Sequence, residues 1–447
     1  MVELKRDLGV WGAAAIVVGT VIGSGIFLVP KKMVLSVGSA EMVFFVFVFG
    51  GLLSLAGALT YAELAAMMPE AGGEYAYLRE AYGPFYAFVY GWTQLWVAKS
   101  GSIATLATAF FIYLANFFPG LEATLFSSPW LEIKSGQVLA MAVIGALGFL
   151  NYFGVKVGGG VQVGVTVLKV ALIGMIIAVG LTFGGGTVAN YTTGIPASTG
   201  GVAGFFAALV AALWAYDGWN NVSMVSSEIK NPQRNLPIAL ILGTLAVMVI
   251  YLGANLAYFY VLPAEVVATS DRVAAEMMRR VWEAPGANAV SIAAMISIFA
   301  ALNGSILSGA RVPFAMARDR LFFSAIATVH PRYFTPANSI MLLSGWSMLF
   351  VLTGRYEQLF TCVIFASWIL YGMATASVLV LRRRRPDLAR PYRTLGYPFV
   401  PIVFVLVAGA LIFSTLFESP RESLLGLGII ATGIPFYRHW SRRKAAK

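Results

Sequence analysis

The chain has 447 residues, of which 59% are hydrophobic and only 11% charged. A soluble domain carries about 25% charged residues, so a water-soluble globule is set aside and lipid is the expected solvent. The net charge of +11 comes from Lys and Arg that gather at the ends of apolar runs, the pattern of membrane topology signals and not of a nucleic-acid surface.

A spanning helix needs roughly 20 apolar residues, and breaks at Gly, Pro and polar residues divide the chain into such runs. The predicted helices are 10–29, ended by Pro30; 41–68, ended by Pro69; 84–118, opened by Gly83-Pro84; 137–153; and 160–183. The second half continues with 201–228, interrupted at Asp217-Gly218; 236–262; 287–316; 337–353; 358–381; 398–416; and 423–437. The expected fold is therefore all-α and polytopic, with twelve transmembrane helices. The first run lacks a small-residue cleavage site and reads as a helix of the mature chain. The one cysteine, Cys362, lies in an apolar run, and His330 and His439 fall in polar segments, so no metal site or cofactor is expected.

Placing the N-terminus in the cytoplasm puts 21 of the 31 Lys and Arg on that side and 8 on the other. The positive-inside bias then predicts that both termini are cytoplasmic. The remaining two, Lys99 and Lys169, fall within apolar spans.

Two helices carry interruptions. The first reads Gly19-Thr20-Val21-Ile22-Gly23-Ser24-Gly25, where paired glycines invite local unwinding. Close approach of another helix is the alternative use of such small residues. The sixth reads Trp214-Ala215-Tyr216-Asp217-Gly218-Trp219-Asn220-Asn221, with an acid mid-span that is either a functional group or a partner of a neighbouring helix. Each break opens a block of five spans, and five is odd, so the blocks insert in opposite senses. This predicts a 5+5 inverted repeat, 10–183 and 201–381, plus two added helices over 398–437. Paired interrupted helices point to a transporter site. Half-helix N-termini suit a carboxylate and half-helix carbonyls an ammonium, so an α-amino acid head group is expected.

The ordered motifs resemble those of the amino acid–polyamine–organocation transporter superfamily, and within it the L-type amino acid transporter family. They are Gly19 to Phe27, the Glu63 to Tyr77 connection, Trp214 to Pro237 with Ser-Glu-Ile-Lys-Asn-Pro-Gln-Arg-Asn-Leu-Pro, Leu302-Asn303-Gly304-Ser305, and Ala315 to Asp319. The resemblance covers most of the chain. It implies a LeuT-like fold, alternating access, independence of sodium, and exchange of amino acids. Carried over by position, the amides of Ser24 and Gly25 hold the substrate carboxylate, and the carbonyls of Val21, Trp214 and Asp217 hold its ammonium. Asn220 lines the site and the Trp214 ring gates it. Animal relatives bond a heavy subunit through a cysteine in the outer loop between helices 3 and 4. That loop, 119–136, has none here, so a stand-alone bacterial transporter is expected, a monomer, with small-molecule amino acids and membrane lipid as its partners.

Lys169 lies about 13 Å into its span at the usual helix rise, too deep to snorkel with ease. The resemblance gives it the place of a sodium ion, in contact with the broken helix 1 and with Ser305; a structural brace is the alternative. Lys99 either tunes the substrate path or pairs with a carboxylate such as Asp217. Ser102 and Thr105 follow on the same helix and give it a polar face. Arg382 to Arg385 are read as a topology signal touching anionic lipid, and the stretch 267–283 as an amphipathic outer loop that acts as a lid. The expected function is exchange of neutral amino acids. The alternatives are a proton-coupled symporter, a carrier of polyamines or cationic amino acids, and a sensor that binds without transport; an enzyme is not expected.

Overall fold

The computed structural model describes residues 3–128, 132–197, 199–352 and 356–445. Arg355 and Lys447, two of the basic residues in the charge bias, lie outside the described residues. The chain opens with α1 (Val10–Val21), a bend over Ile22 to Ser24, and α2 (Gly25–Val37). Then come α3 (Ala40–Met67), α4 (Glu74–Tyr82), and α5 (Pro84–Thr93), which runs through a π turn over Gln94–Ala98 into α6 (Lys99–Leu114). Helices α7 (Ser135–Tyr152) and α8 (Val155–Phe183) complete the first half. The second half has α9 (Gly201–Tyr216), α10 (Asn221–Met224), α11 (Pro232–Val261), α12 (Ala264–Thr269), α13 (Val273–Gly309), α14 (Arg311–Arg318), α15 (Ala337–Val351) and α16 (Tyr356–Arg384). The chain ends in α17 (Phe399–Glu418) and α18 (Pro420–Ala445).

Nine helices among the described residues are long and apolar enough to cross a membrane, counting α1 and α2 as one, α5 and α6 as one, and α13 and α14 as one. α9 and α15 are apolar but shorter. The twelfth expected span falls in α18, which is not among them. The broken pairs sit at the centre. α1 packs against α8, α11 and α13, α2 runs along α9, and α11 lies along α3. Their shared core includes Ile16, Ile22, Phe27, Leu213, Tyr251 and Leu302, all fully or almost fully buried.

Three expectations change. Pro30 does not end the first helix. α2 continues to Val37 and stops at Gly38, whose φ of +81° forms a left-handed cap. An interior proline costs a backbone hydrogen bond, and burial of Phe27, Val29, Met33 and Val34 on either side of it outweighs that loss. The loop 119–136 carries a small antiparallel pairing of β1 (Thr124–Ser127) with β2 (Glu132–Lys134), a local hairpin within the all-α fold. The stretch 267–283 is folded, not a loose loop. α12 and the first turns of α13 bury Val267, Val273, Met277 and Met278, and α13 kinks at Trp282 and Glu283 (φ +48°) ahead of Pro285. Finally, α18 continues past residue 437, so His439 is helical.

The arginine run also reads differently in space. Arg382 donates to both oxygens of Glu63, at 2.9 and 2.7 Å, and its guanidinium lies 3.7 Å from the centre of the Tyr397 ring. The buried Glu63 carboxylate also accepts from the Thr394 amide at 2.7 Å. Arg385 pairs with Glu80 and Asp387, and Arg384 donates to the Ala81 carbonyl. Three of the four arginines therefore tie α16 to α3, α4 and the 386–398 connection, because fixed carboxylates and carbonyls within reach hold a guanidinium better than fluid headgroups do.

Candidate functional site

The site is built from two helix breaks held face to face. α1 stops at Val21 and α2 restarts at Gly25. α9 stops at Tyr216, Asp217 is extended, and Gly218 has φ +105°, a conformation that favours glycine. α10 begins at Asn221. The Thr20 hydroxyl reaches the Gly218 carbonyl at 2.9 Å. The Tyr251 hydroxyl lies 2.9 Å from the Val21 carbonyl oxygen and 2.8 Å from that of Ala215, so one side chain from α11 serves both broken helices. At Gly25 the α2 backbone touches α9: a Cβ there would sit 2.4 Å from the Cα of Ala215.

Lys169 holds the first break from behind. Its Nζ donates to the carbonyls of Gly19 (2.6 Å) and Ile22 (2.5 Å), and Ser297 of α13 donates to Ile22 at 3.0 Å. These are carbonyls that the end of a helix leaves without an intrahelical donor. Further along α8, Thr166 and Gln162 reach the Ala15 carbonyl at 3.3 and 3.5 Å. Gln162 accepts from Asn303, which in turn accepts from Asn151 at 2.8 Å. A polar ladder thus fastens α1 to α8, α13 and α7.

Between the breaks lies a narrow cavity of about 10 Å³. Seven of the residues singled out from the sequence line it: Val21, Ser24, Gly25, Ser102, Trp214, Asp217 and Ser305. Four do not: Lys169, Thr105, Asn220 and Lys99. Lys169 stands behind the break, and its serine neighbour at Ile22 is Ser297; Ser305 faces the cavity instead. Thr105 turns its hydroxyl back to the Gly101 carbonyl at 2.7 Å. Asn220 points away and donates to Glu74, while Asn221 beside it lines the cavity. Lys99 donates to Asn221 Oδ1 at 2.6 Å, whereas Asp217 accepts from Tyr371 at 3.0 Å. Trp214, almost fully buried, stacks on Phe360 with ring centres 5.8 Å apart.

Tyr251 carries no signal in the sequence, and Asn221 and Glu74 fall inside the motifs read there without being assigned to the site. Glu74 opens α4, is fully buried, and accepts from Tyr90 (3.0 Å), Ser223 (3.2 Å) and Asn220. Burial pushes its carboxyl up from the usual carboxylate range, against the pull of these donors. The preceding Gly73, with φ +51°, lets α4 lie on α10: a Cβ there would come within 2.7 Å of the Ser223 backbone. An acid inside the Gly-Gly-Glu-Tyr connection was the available signal for Glu74. Tyr251 sits in an apolar run that offers none.

The start of α2 and the end of α9 thus line one cavity, and similar chains are known. The chain is 34% identical over 446 residues, covering 99% of itself and 98% of its relative, to the serine/threonine exchanger SteT of Bacillus subtilis (strain 168). It is 32% identical over 438 residues, 97% of this chain and 88% of the other, to the mouse b(0,+)-type amino acid transporter 1. The human cystine/glutamate transporter is 29% identical over 438 residues, covering 98% and 85% of the two chains. The family model described as amino acid permease matches residues 8–435, and the chain, a multi-pass membrane transporter and not an enzyme, belongs to that family.

Proposed function

We propose that the chain exchanges small neutral amino acids across a bacterial plasma membrane by alternating access, without sodium. The observation that carries this reading is the pair of facing helix breaks. Amides of Ser24 and Gly25 at the positive end of α2 suit the substrate carboxylate, and the carbonyls of Val21, Trp214 and Asp217 suit its ammonium. Val21 already accepts from Tyr251, but a carbonyl oxygen has a second lone pair for the substrate. The narrowness of the cavity beside Trp214 favours small side chains, in keeping with a relative named as a serine/threonine exchanger. The Lys169 ammonium supplies, within the chain, the positive charge that a bound sodium ion would bring to the first break.

The two blocks that open with a broken helix, 10–183 and 201–381, are read as inverted repeats with α17 and α18 added. The charge bias supports a cytoplasmic location for both termini. The single cysteine lies on α16, away from the 119–136 connection, which supports a transporter that works without a disulfide-linked subunit.

Purified protein in liposomes tests the reading. Labelled serine should enter vesicles loaded with unlabelled amino acid and not empty ones, in sodium or in choline buffer. Equal uptake by empty vesicles assigns a uniporter or symporter. Competition by diamines but not by amino acids assigns a polyamine carrier, and binding with no uptake a sensor.

A further inference from the structure

Away from the cavity, the residues that follow α14 and the end of α18 enclose a groove with an aromatic floor and a basic rim. Trp440, largely buried, lies 5.2 Å from Phe323 and 5.8 Å from Phe436, measured between ring centres. Those two rings are 60% and 45% exposed. Arg320 and Arg443 line the same groove, both exposed. Among the described residues, no Asp or Glu lines it. Asp319, next to Arg320 in the chain, is turned the other way, onto Arg79 at 3.1 Å and Tyr75 at 3.0 Å. Arg320 takes φ +61° at the turn that ends α14.

Several arginines elsewhere are already engaged. Arg79, Arg311, Arg382 and Arg385 each bond a carboxylate. Arg320 and Arg443 have no ion-pair partner among the described residues, so two guanidinium groups remain available beside exposed aromatic surface. Aromatic rings of this kind collect at the membrane–water boundary, and a guanidinium binds phosphate through paired hydrogen bonds. An acid-free rim disfavours a cationic ligand, and exposed rings disfavour a fully hydrated one.

We propose that this groove is a binding site for an anionic glycerophospholipid. The headgroup phosphate lies between Arg320 and Arg443, and the glycerol and upper acyl chain rest on Phe323, Phe436 and Trp440. The sequence pointed to the arginine run of α16 for lipid contact. The structure moves that role to the end of α18, because most of the α16 run is already bound to protein.

The test uses the full chain reconstituted in vesicles of equal phosphatidylglycerol and phosphatidylcholine, extracted mildly and weighed by native mass spectrometry. The wild-type protein should retain phosphatidylglycerol in preference to phosphatidylcholine. Each arginine near an anionic lipid surface is worth about fivefold in binding, so Arg320→Gln with Arg443→Gln should cut phosphatidylglycerol retention about 25-fold. Arg383→Gln with Arg393→Gln removes the same charge at exposed positions outside the groove and should leave retention unchanged. The proposal is overturned if both double variants lose lipid equally, which marks general surface charge. It is also overturned if the groove variant keeps its lipid, or if the wild type carries a second copy of the chain there in place of lipid.

Discussion

The contact at Gly25 makes a quantitative prediction. A Cβ at this position would lie 2.4 Å from Ala215 Cα, 2.8 Å from its Cβ and 3.1 Å from its amide nitrogen. Ordinary contact begins at 3.4 Å, so Gly25→Ala must part α2 from α9 by about 1 Å, and the atoms met are backbone that has no rotamer to change. Overpacking of this kind costs about 1–3 kcal/mol. The displaced elements are the two that frame the cavity, so exchange should fall about 100-fold, the equivalent of about 3 kcal/mol. Gly23, two residues earlier in the same motif, is the control. Its Cβ would meet Leu106 Cδ2 at 2.9 Å and Ala301 Cβ at 3.3 Å, and the leucine can turn aside, so Gly23→Ala should keep exchange within about tenfold, the lower half of the same cost range. Adding Ala215→Gly to Gly25→Ala removes the 2.8 Å contact but not the 2.4 Å one and should not restore activity. The assay is counterflow of labelled amino acid in liposomes, with melting temperature measured in detergent. Equal losses for the two alanine variants, or wild-type exchange by Gly25→Ala, would refute the reasoning.

Three further perturbations follow from the hydrogen bonds. Lys169→Met leaves the Gly19 carbonyl without its side-chain donor and Ile22 with Ser297 alone; exchange should fall at least about tenfold, since an unsatisfied buried group costs about 1–3 kcal/mol, and unchanged kinetics measured from both membrane faces would remove the coupling role. Tyr251→Phe deletes one hydroxyl shared by Val21 and Ala215; a loss of about 1–3 kcal/mol is expected, read as a lower melting temperature together with weaker apparent substrate affinity, and a change in neither would show that the clamp is idle. Glu63→Gln and Arg382→Gln each break a largely buried ion pair and should destabilise by about 3–5 kcal/mol, whereas the double replacement Glu63→Met with Arg382→Met should cost clearly less than the two single losses added together; additive losses in thermal melting would argue against a coupled pair.

Much of the site was legible because its signals are local. Glycines flanking a serine, and an Asp-Gly pair, inside apolar runs weaken a helix wherever they occur, so both breaks could be placed from the residues alone. A lysine deep in a span demands acceptors, and the broken helix beside it offers carbonyls. The choice between neighbours was not local. Successive residues on a helix differ by about 100° in direction, so the start of α10 after Gly218 decides that Asn221 faces the cavity and Asn220 faces Glu74. Ser297 and Ser305 lie on one face of α13, about two turns apart, and only the depth at which α8 crosses α13 gives Ser297 the Ile22 carbonyl.

The sequence by itself determined the lipid environment, the helical architecture and the two interruptions that mark the site, since composition and backbone propensity act residue by residue. Tertiary structure alone decided what each buried polar group bonds. Tyr251 is silent in an apolar stretch until α11 brings it to two free helix ends. Arg382 looks like a topology signal until Glu63, 319 residues away, comes within reach. Pro30 looks like a stop until burial on both sides of it carries the helix to Val37. In each case a buried polar or strained group takes the partner that packing supplies, and that partner is set by how the helices cross and not by their own residues.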